Sequence, residues 1–221
     1  MKLKLYTNSH SVSCSKIELA LDFKSIEIDK IEAINNYGAF SPTATVPCLS
    51  IDGLMISDSG AILEFLEEKY PEPTLLSNEP HINSRIRFIA KLVDEKLVGS
   101  IRKLFSLVKA TSHPSDSLMI ENIFKEIENH LQLINEIRKE NRYLASDSIS
   151  LSDCNTPAFF AMLKEFEIHF NRQAMRPEEI KNYESIIEDH KNLFKEYKRY
   201  GFEIRTWIAN KLLTWVFGEN Y

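Results

Sequence analysis

The sequence predicts an α/β unit followed by an all-α unit. Three observations carry this reading. Strand and helix signals alternate over residues 1–76. Beyond them no strand pattern recurs, only apolar residues spaced three and four apart. A proline-rich segment, "YPEPTLLSNEP", crosses the junction. The expected units are therefore 1–76 and 85–221, joined by a linker at 77–84.

Lys2–Tyr6 reads as a short strand, and Lys16–Phe23 as a helix with Ile17, Ala20 and Leu21 on one face. Ile26, Ile28 and Ile31 suggest a second strand. Pro47–Ile51 and Leu54–Ile56 flank Asp52-Gly53, a dipeptide whose two residues tolerate the positive φ of a tight hairpin. Ser59-Gly60 leads into a helix over Ala61–Tyr70 that Pro71 ends. The order is β-α-β, a loop, then β-β-α.

In the second unit, Ile82–Val108 and Leu118–Ile137 carry long helical repeats. Ser150 and Asp153 stand three apart, as in a capping box with Asp in place of Glu, and Ile149 sits ahead of them as a staple. Ile180–Tyr200 and Glu203–Phe217 read as two further helices, split at Gly201.

The formal net charge of -5 and pI of about 5.7 argue against a protein that holds nucleic acid on a basic surface. No apolar stretch reaches the roughly 18 residues of a membrane span, and no basic-then-apolar leader opens the chain. The expectation is a soluble cytoplasmic protein without membrane contact. Cys14, Cys48 and Cys154 are scattered and odd in number, which suits free thiols in a reducing compartment. Neither they nor the six histidines show metal spacing, and the dispersed glycines form no phosphate-binding loop.

One stretch concentrates nucleophilic side chains: "SHSVSCSK", Ser9 to Lys16, between the first strand and the first helix. Its hydroxyls and thiol are candidates for chemistry. Serines at that place also cap helices, and a cysteine one turn inside a helix is commonly buried packing. From the residues alone, Ser9, Ser11, Ser13 and Cys14 all stay open.

Four landmarks taken together resemble the glutathione transferase superfamily. Ser11–Ile17 is similar to the family's "S-x-x-x-x-[KR]-[VI]" opening of the first helix. "SPTATVPCL" resembles "NPxGKVPxL". "SDSGAILEFLEEKYP" resembles "[EQD]-S-x-A-I-x-x-Y-L", and "SISLSDC" the "T-x-A-D" capping element. The resemblance spans about residues 3–165. It implies a thioredoxin-like, glutathione-binding first domain, an all-helical second domain, glutathione as co-substrate, a small electrophilic substrate and a homodimer. The opening serine pattern is closest to the zeta, maleylacetoacetate isomerase type.

By that resemblance Ser11 is the activating hydroxyl and Pro47 the family's cis-proline. Val46 would offer its backbone to the cysteinyl part in the manner of an added strand. Ser59, at a helix start, would hold the γ-glutamyl carboxylate, and Asp58 its ammonium. Thr45 stands where relatives often carry Lys or Gln against glutathione. Leu104, Phe105, Val108, Trp207 and Trp215 are candidates for an apolar second-substrate pocket. The sequence departs from the family in Ser41-Pro42-Thr43-Ala44, in Asp58, and in the tail after residue 168. "SLSDCNTPAFFAML" and "YPEPTLL" also resemble stringent starvation protein A, which implies an alternative: a non-catalytic regulator contacting RNA polymerase. A reductase using Cys14 is a third expectation.

Overall fold

The computed structural model describes residues 2–33, 37–109, 114–138 and 140–217. The sheet-containing part comprises β1 (Leu3–Thr7), α1 (Val12–Phe23), β2 (Asp29–Glu32), β3 (Cys48–Ile51), β4 (Leu54–Ile56) and α2 (Ser59–Lys69). The strands lie in the order β2-β1-β3-β4, with β2 parallel to β1 and the other two pairs antiparallel. A parallel pair needs a crossover, and α1 supplies it. The hairpin turn has φ 47° at Asp52 and 96° at Gly53, the positive pair expected of that dipeptide. The second strand starts later than the isoleucine spacing suggests. β2 is an exposed edge, while Ile26 and Ile28 precede it and pack on the core.

The α1 helix is buried almost all round. Its apolar residues, Ile17 and Ala20 among them, join Leu5, Leu49 and Ile62 in the core. Ser15 and Lys16 are buried too, because the helical part of the chain closes over α1 and supplies partners. Lys16 Nζ lies 2.6 Å from Asp94 Oδ2, and the Ser15 hydroxyl donates to Glu196.

The helical part is α3 (Pro80–Leu92), α4 (Val98–Arg102), α5 (Pro114–Arg138), α6 (Thr156–Phe170), α7 (Glu178–Asp189) and α8 (Lys191–Phe217). A π-helical turn at Val93–Leu97 joins α3 to α4, and a 3-10 turn at Lys103–Leu107 ends that run. The extra residue of a π turn re-aims the side chains around it. Here it holds Asp94 against Lys16. Ahead of α6, both halves of the Ser150–Asp153 capping box form, with Ser150 N–H donating to Asp153 Oδ2 at 2.9 Å. Asp153 is fully buried. Its carboxyl is pushed up by burial, and it also accepts from Leu144 N–H at 3.1 Å and Tyr183 Oη at 2.8 Å.

Gly201 does not split the last helix. The break falls at His190, and α8 runs through Gly201 without interruption. The glycine marks a close approach: a Cβ built on it would sit 3.7 Å from Ala161 Cβ on α6. That distance is ordinary contact, so alanine fits. Gly201→Ala is expected to raise stability by about 0.5–1 kcal/mol through helix propensity. Urea unfolding checks this, and a lower midpoint would mean that the α6–α8 contact has no room for a methyl group.

A buried ion pair secures the crossing between the parts. Lys24 Nζ lies 2.6 Å from Glu67 Oε1, the two side chains being 0% and 5% exposed. Lys24 also donates to the carbonyls of Tyr70 and Pro73, both at 2.8 Å. Glu67 accepts from Leu75 N–H at 3.1 Å and from Thr74 Oγ1 at 3.3 Å. Leu151 N–H then donates to Leu75 O at 3.0 Å, tying the segment to the helices.

Candidate active site

Asn8 shapes the loop after β1. Its amide donates to Ala33 O at 3.0 Å, its side-chain oxygen accepts from His10 N–H at 3.0 Å, and its carbonyl accepts from Ser11 N–H at 3.0 Å. The loop thereby delivers Ser11 to the N-cap of α1, with φ -90° and ψ 118°. Ser11 Oγ accepts from Cys14 N–H at 3.3 Å. A hydroxyl has one donor proton and two acceptor lone pairs. Capping uses an acceptor, so the proton stays available to donate outward. Ser11 is half-buried, a position from which it can reach a ligand.

The other candidates in the stretch differ. Cys14 is 0% exposed, and its sulfur accepts from Asn8 N–H at 3.4 Å. Burial pushes its thiol up, away from the thiolate needed for nucleophilic or redox work. Ser9 Oγ sits 3.5 Å from His10 Nδ1 on the solvent side. Ser13 is half-buried and lines a cleft of about 520 Å³ between the sheet part and α3. Lys16, Asp58, Ser59, Arg87 and Asp94 line the same cleft.

At the head of α2 the cap is Asp58, not Ser59. The Asp58 carboxylate accepts from Ala61 N–H at 2.8 Å, and its carbonyl from Ile62 N–H at 2.9 Å. Aspartate outcompetes serine here because its backbone is extended, with φ -98° and ψ 127°, while Ser59 is already helical. One Asp58 oxygen serves the cap and the other faces outward. The Ser59 hydroxyl stands at the first helical position, where free N–H groups and the helix dipole favour an anion.

The Val46–Pro47 peptide is cis. Pro47 is buried, Val46 half-buried and Thr45 exposed. Local sequence reading missed how the preceding loop is built. Ser41 Oγ accepts from Thr45 N–H at 3.1 Å and donates to Ser57 Oγ at 3.1 Å, while the Thr43 and Thr45 hydroxyls meet at 2.6 Å. This chain of hydroxyls joins the Thr45–Pro47 loop to the residue just before Asp58. It is what the departures at Ser41 and Thr43 accomplish.

The residues expected to line an apolar pocket pack against the protein itself. Leu104 and Val108 are core residues at 0% and 1% exposure. Phe105 packs edge-on against Trp207 at 4.7 Å and Phe166 at 5.1 Å, an aromatic cluster inside the helical part. The side chain of Trp215 lies outside the described residues.

Comparison with known proteins fits this geometry. The family "Glutathione S-transferase, N-terminal domain" matches residues 5–74. Rat maleylacetoacetate isomerase is 31% identical over 159 residues, covering 66% of this chain and 71% of that one. The chain belongs to the glutathione S-transferase family. Another relative, the maleylacetoacetate isomerase of Pseudomonas aeruginosa, is 37% identical over 102 residues, 41% of this chain and 48% of its own length. The transferase fold extends over most of the chain. A Tau class glutathione S-transferase from mango superposes with a TM-score of 0.77 at 14% identity, over 95% of this chain and 98% of that one. Within that fold the cleft brings Asp58 and Ser59 together with Ser13, while Ser11, Thr45, Val46 and Pro47 are not among its lining residues.

Proposed function

We propose that this chain is a zeta-like glutathione transferase that activates the glutathione thiolate for attack on a small electrophile, by isomerisation or conjugation. The observation that carries the reading is the similarity to maleylacetoacetate isomerases, supported by a helix-capping hydroxyl at Ser11 and the helix N-terminus at Ser59. Residues 1–76 form the glutathione-binding unit in this reading, and 85–221 the wall for the second substrate.

Ser11 O–H donates to the thiolate and lowers its proton affinity. Such a bond to an anion contributes about 1.5–3 kcal/mol, against about 0.3–1 kcal/mol from the α1 dipole. The backbone of Val46 pairs with the cysteinyl part, with Thr45 at its edge. Ser59 and the free amides of α2 take the γ-glutamyl carboxylate, and the outward oxygen of Asp58 takes the ammonium. In an isomerisation the thiolate adds to a carbon–carbon double bond conjugated to a carbonyl. The new C–S bond leaves a single carbon–carbon bond free to rotate. Elimination then restores the double bond and the thiolate, so glutathione is not consumed. In a conjugation the C–S bond persists and a leaving group or proton balances the charge.

The homodimer is part of this proposal. Phe88 on α3 is 53% exposed, a large apolar side chain that a second copy would cover. So is the cytoplasm, whose reducing conditions suit Cys14, Cys48 and Cys154, all free and buried. No helix among the described residues is long and apolar enough to cross a membrane. The relatives carry enzyme names, and the RNA-polymerase reading draws no support from them.

The test is calorimetric glutathione binding, followed by turnover of a cis-configured maleyl substrate and of an activated aryl halide. Binding with glutathione-dependent turnover of either compound is the expected result. Millimolar glutathione that neither binds nor supports turnover would sink the proposal. Light scattering in the same samples reads the dimer.

A further inference from the structure

The last helix reaches back across the molecule to the loop that carries Ser11. Asn192, Lys195, Glu196, Arg199, Tyr200 and Glu203 stand at helical spacing along α8 and all meet α1 or the residues before it. Asp22, near the end of α1, accepts from Lys195 Nζ at 2.7 Å and Asn192 Nδ2 at 3.2 Å. The buried Ser15 hydroxyl donates to Glu196, which holds Arg199 Nε at 2.9 Å. Arg199 Nη1 donates to Ser9 O at 3.5 Å, and Tyr200 Oη to His10 O at 2.8 Å. His10 Nε2 lies 3.7 Å from Glu203 Oε2.

These contacts bracket Ser11 on both sides in sequence. Ser9 and His10 are held by their carbonyls before it, and Ser15 by its hydroxyl after it. Tyr200 is 0% exposed, so its hydroxyl has no access to water, and His10 O satisfies it. Asn8 fixes the same loop from inside the sheet part, whereas α8 fixes it from outside. A hydroxyl that stabilises a thiolate must be aimed before the ligand arrives, since a mobile donor loses much of its advantage to reorganisation.

We propose that Tyr200 and the Glu196–Arg199 pair are positioning residues that clamp the Ser9–Ser15 segment and aim the Ser11 hydroxyl at the glutathione sulfur. The inference rests on the glutathione-dependent reading of the cleft and adds α8 to its machinery. None of the three touches the substrate. They act through the backbone before Ser11 and the Ser15 side chain after it, at a distance of more than 180 residues along the chain.

Two variants test the clamp. Tyr200→Phe deletes one hydroxyl and keeps the packed ring, and Glu196→Gln keeps the shape while discharging the Arg199 pair. Amide hydrogen exchange over residues 9–15 of the ligand-free protein is expected to speed up in both. The pH midpoint of bound glutathione thiolate, followed by its ultraviolet absorbance, is expected to move up. Turnover below that midpoint should fall about five- to tenfold and recover at higher pH, where the thiolate forms unaided. Affinity for S-methylglutathione, which has no thiol proton, should stay within about twofold of wild type, because the clamp aims one donor and does not build the peptide site. Unchanged exchange, or an unchanged thiolate midpoint and pH profile beside a lower melting temperature, would overturn the proposal and leave α8 as a packing strut. A wild-type protein that binds no S-methylglutathione would instead refute the reading of the cleft, and the exchange measurement would still decide the clamp.

Discussion

Ser11→Ala is expected to lower kcat/KM for glutathione-dependent turnover by about 10- to 100-fold, with most of the loss in kcat. The hydroxyl is asked for one hydrogen bond to an anion, about 1.5–3 kcal/mol, and that bond is stronger to the thiolate than to the thiol. The pH–rate profile should shift to higher pH, because a thiol without its donor ionises later. Ser11 also caps α1 through Cys14 N–H, so alanine costs about 1 kcal/mol of stability as well. Ser11→Cys is the informative companion, since it keeps a hydrogen-bonding group at the cap and changes its acidity. Ser13→Ala is the control, as Ser13 lines the cleft beside Asp58 and Ser59. If Ser13→Ala carries the loss and Ser11→Ala does not, the donor has been assigned to the wrong serine.

The second large effect is on stability. Glu67→Ala should destabilise the protein by about 3–5 kcal/mol, because it strands the Lys24 ammonium with no opposite charge in a buried site. For a chain of this size that lowers the melting temperature by about 6–20 °C. The double variant Lys24→Met, Glu67→Leu should recover part of the loss, since neither charge is then left unpaired. Recovery stays partial because the carbonyls of Tyr70 and Pro73 and the Leu75 N–H lose their partners together. A Glu67→Ala protein within about 1 kcal/mol of wild type would mean that water reaches Lys24 in the variant.

Much of the sheet part was legible in the residues, because its signals are local. Asp52-Gly53 needs only its own two φ angles to announce a hairpin, and in the helical part the Ser150–Asp153 box, equally local, closes over four residues. Gly201 shows where local reading fails. Glycine's poor helix propensity suggests a break, but Gly201 packs in ordinary contact with Ala161, forty residues away, and the α6–α8 packing carries the helix through it. The site divides the same way. The helix starts at Ser11 and Ser59 and the X-Pro bond at Pro47 are local features that motifs point to, and Asp58 takes the cap of α2. The Ser41–Thr45–Ser57 hydroxyls are close in sequence, but their bonding follows from a loop conformation that propensities do not encode. The hold of Tyr200 on His10 O joins residues 190 apart, a distance over which no periodicity speaks.

Helix α1 also bears on how freely such chains can be recombined. Its Lys16 and Ser15 are buried by Asp94 and Glu196, which come from the other side of the linker. A sheet part separated from those helices would hand Lys16 and Ser15 to water and expose the apolar residues of α1 around them. The break in the chain at the linker is therefore not a seam in the energetics. A chimera that swaps the helical part for a relative's would have to bring acidic partners to both positions, or replace Lys16 and Ser15 along with it. The two parts are coupled because buried polar groups of α1 take their partners from the helical part.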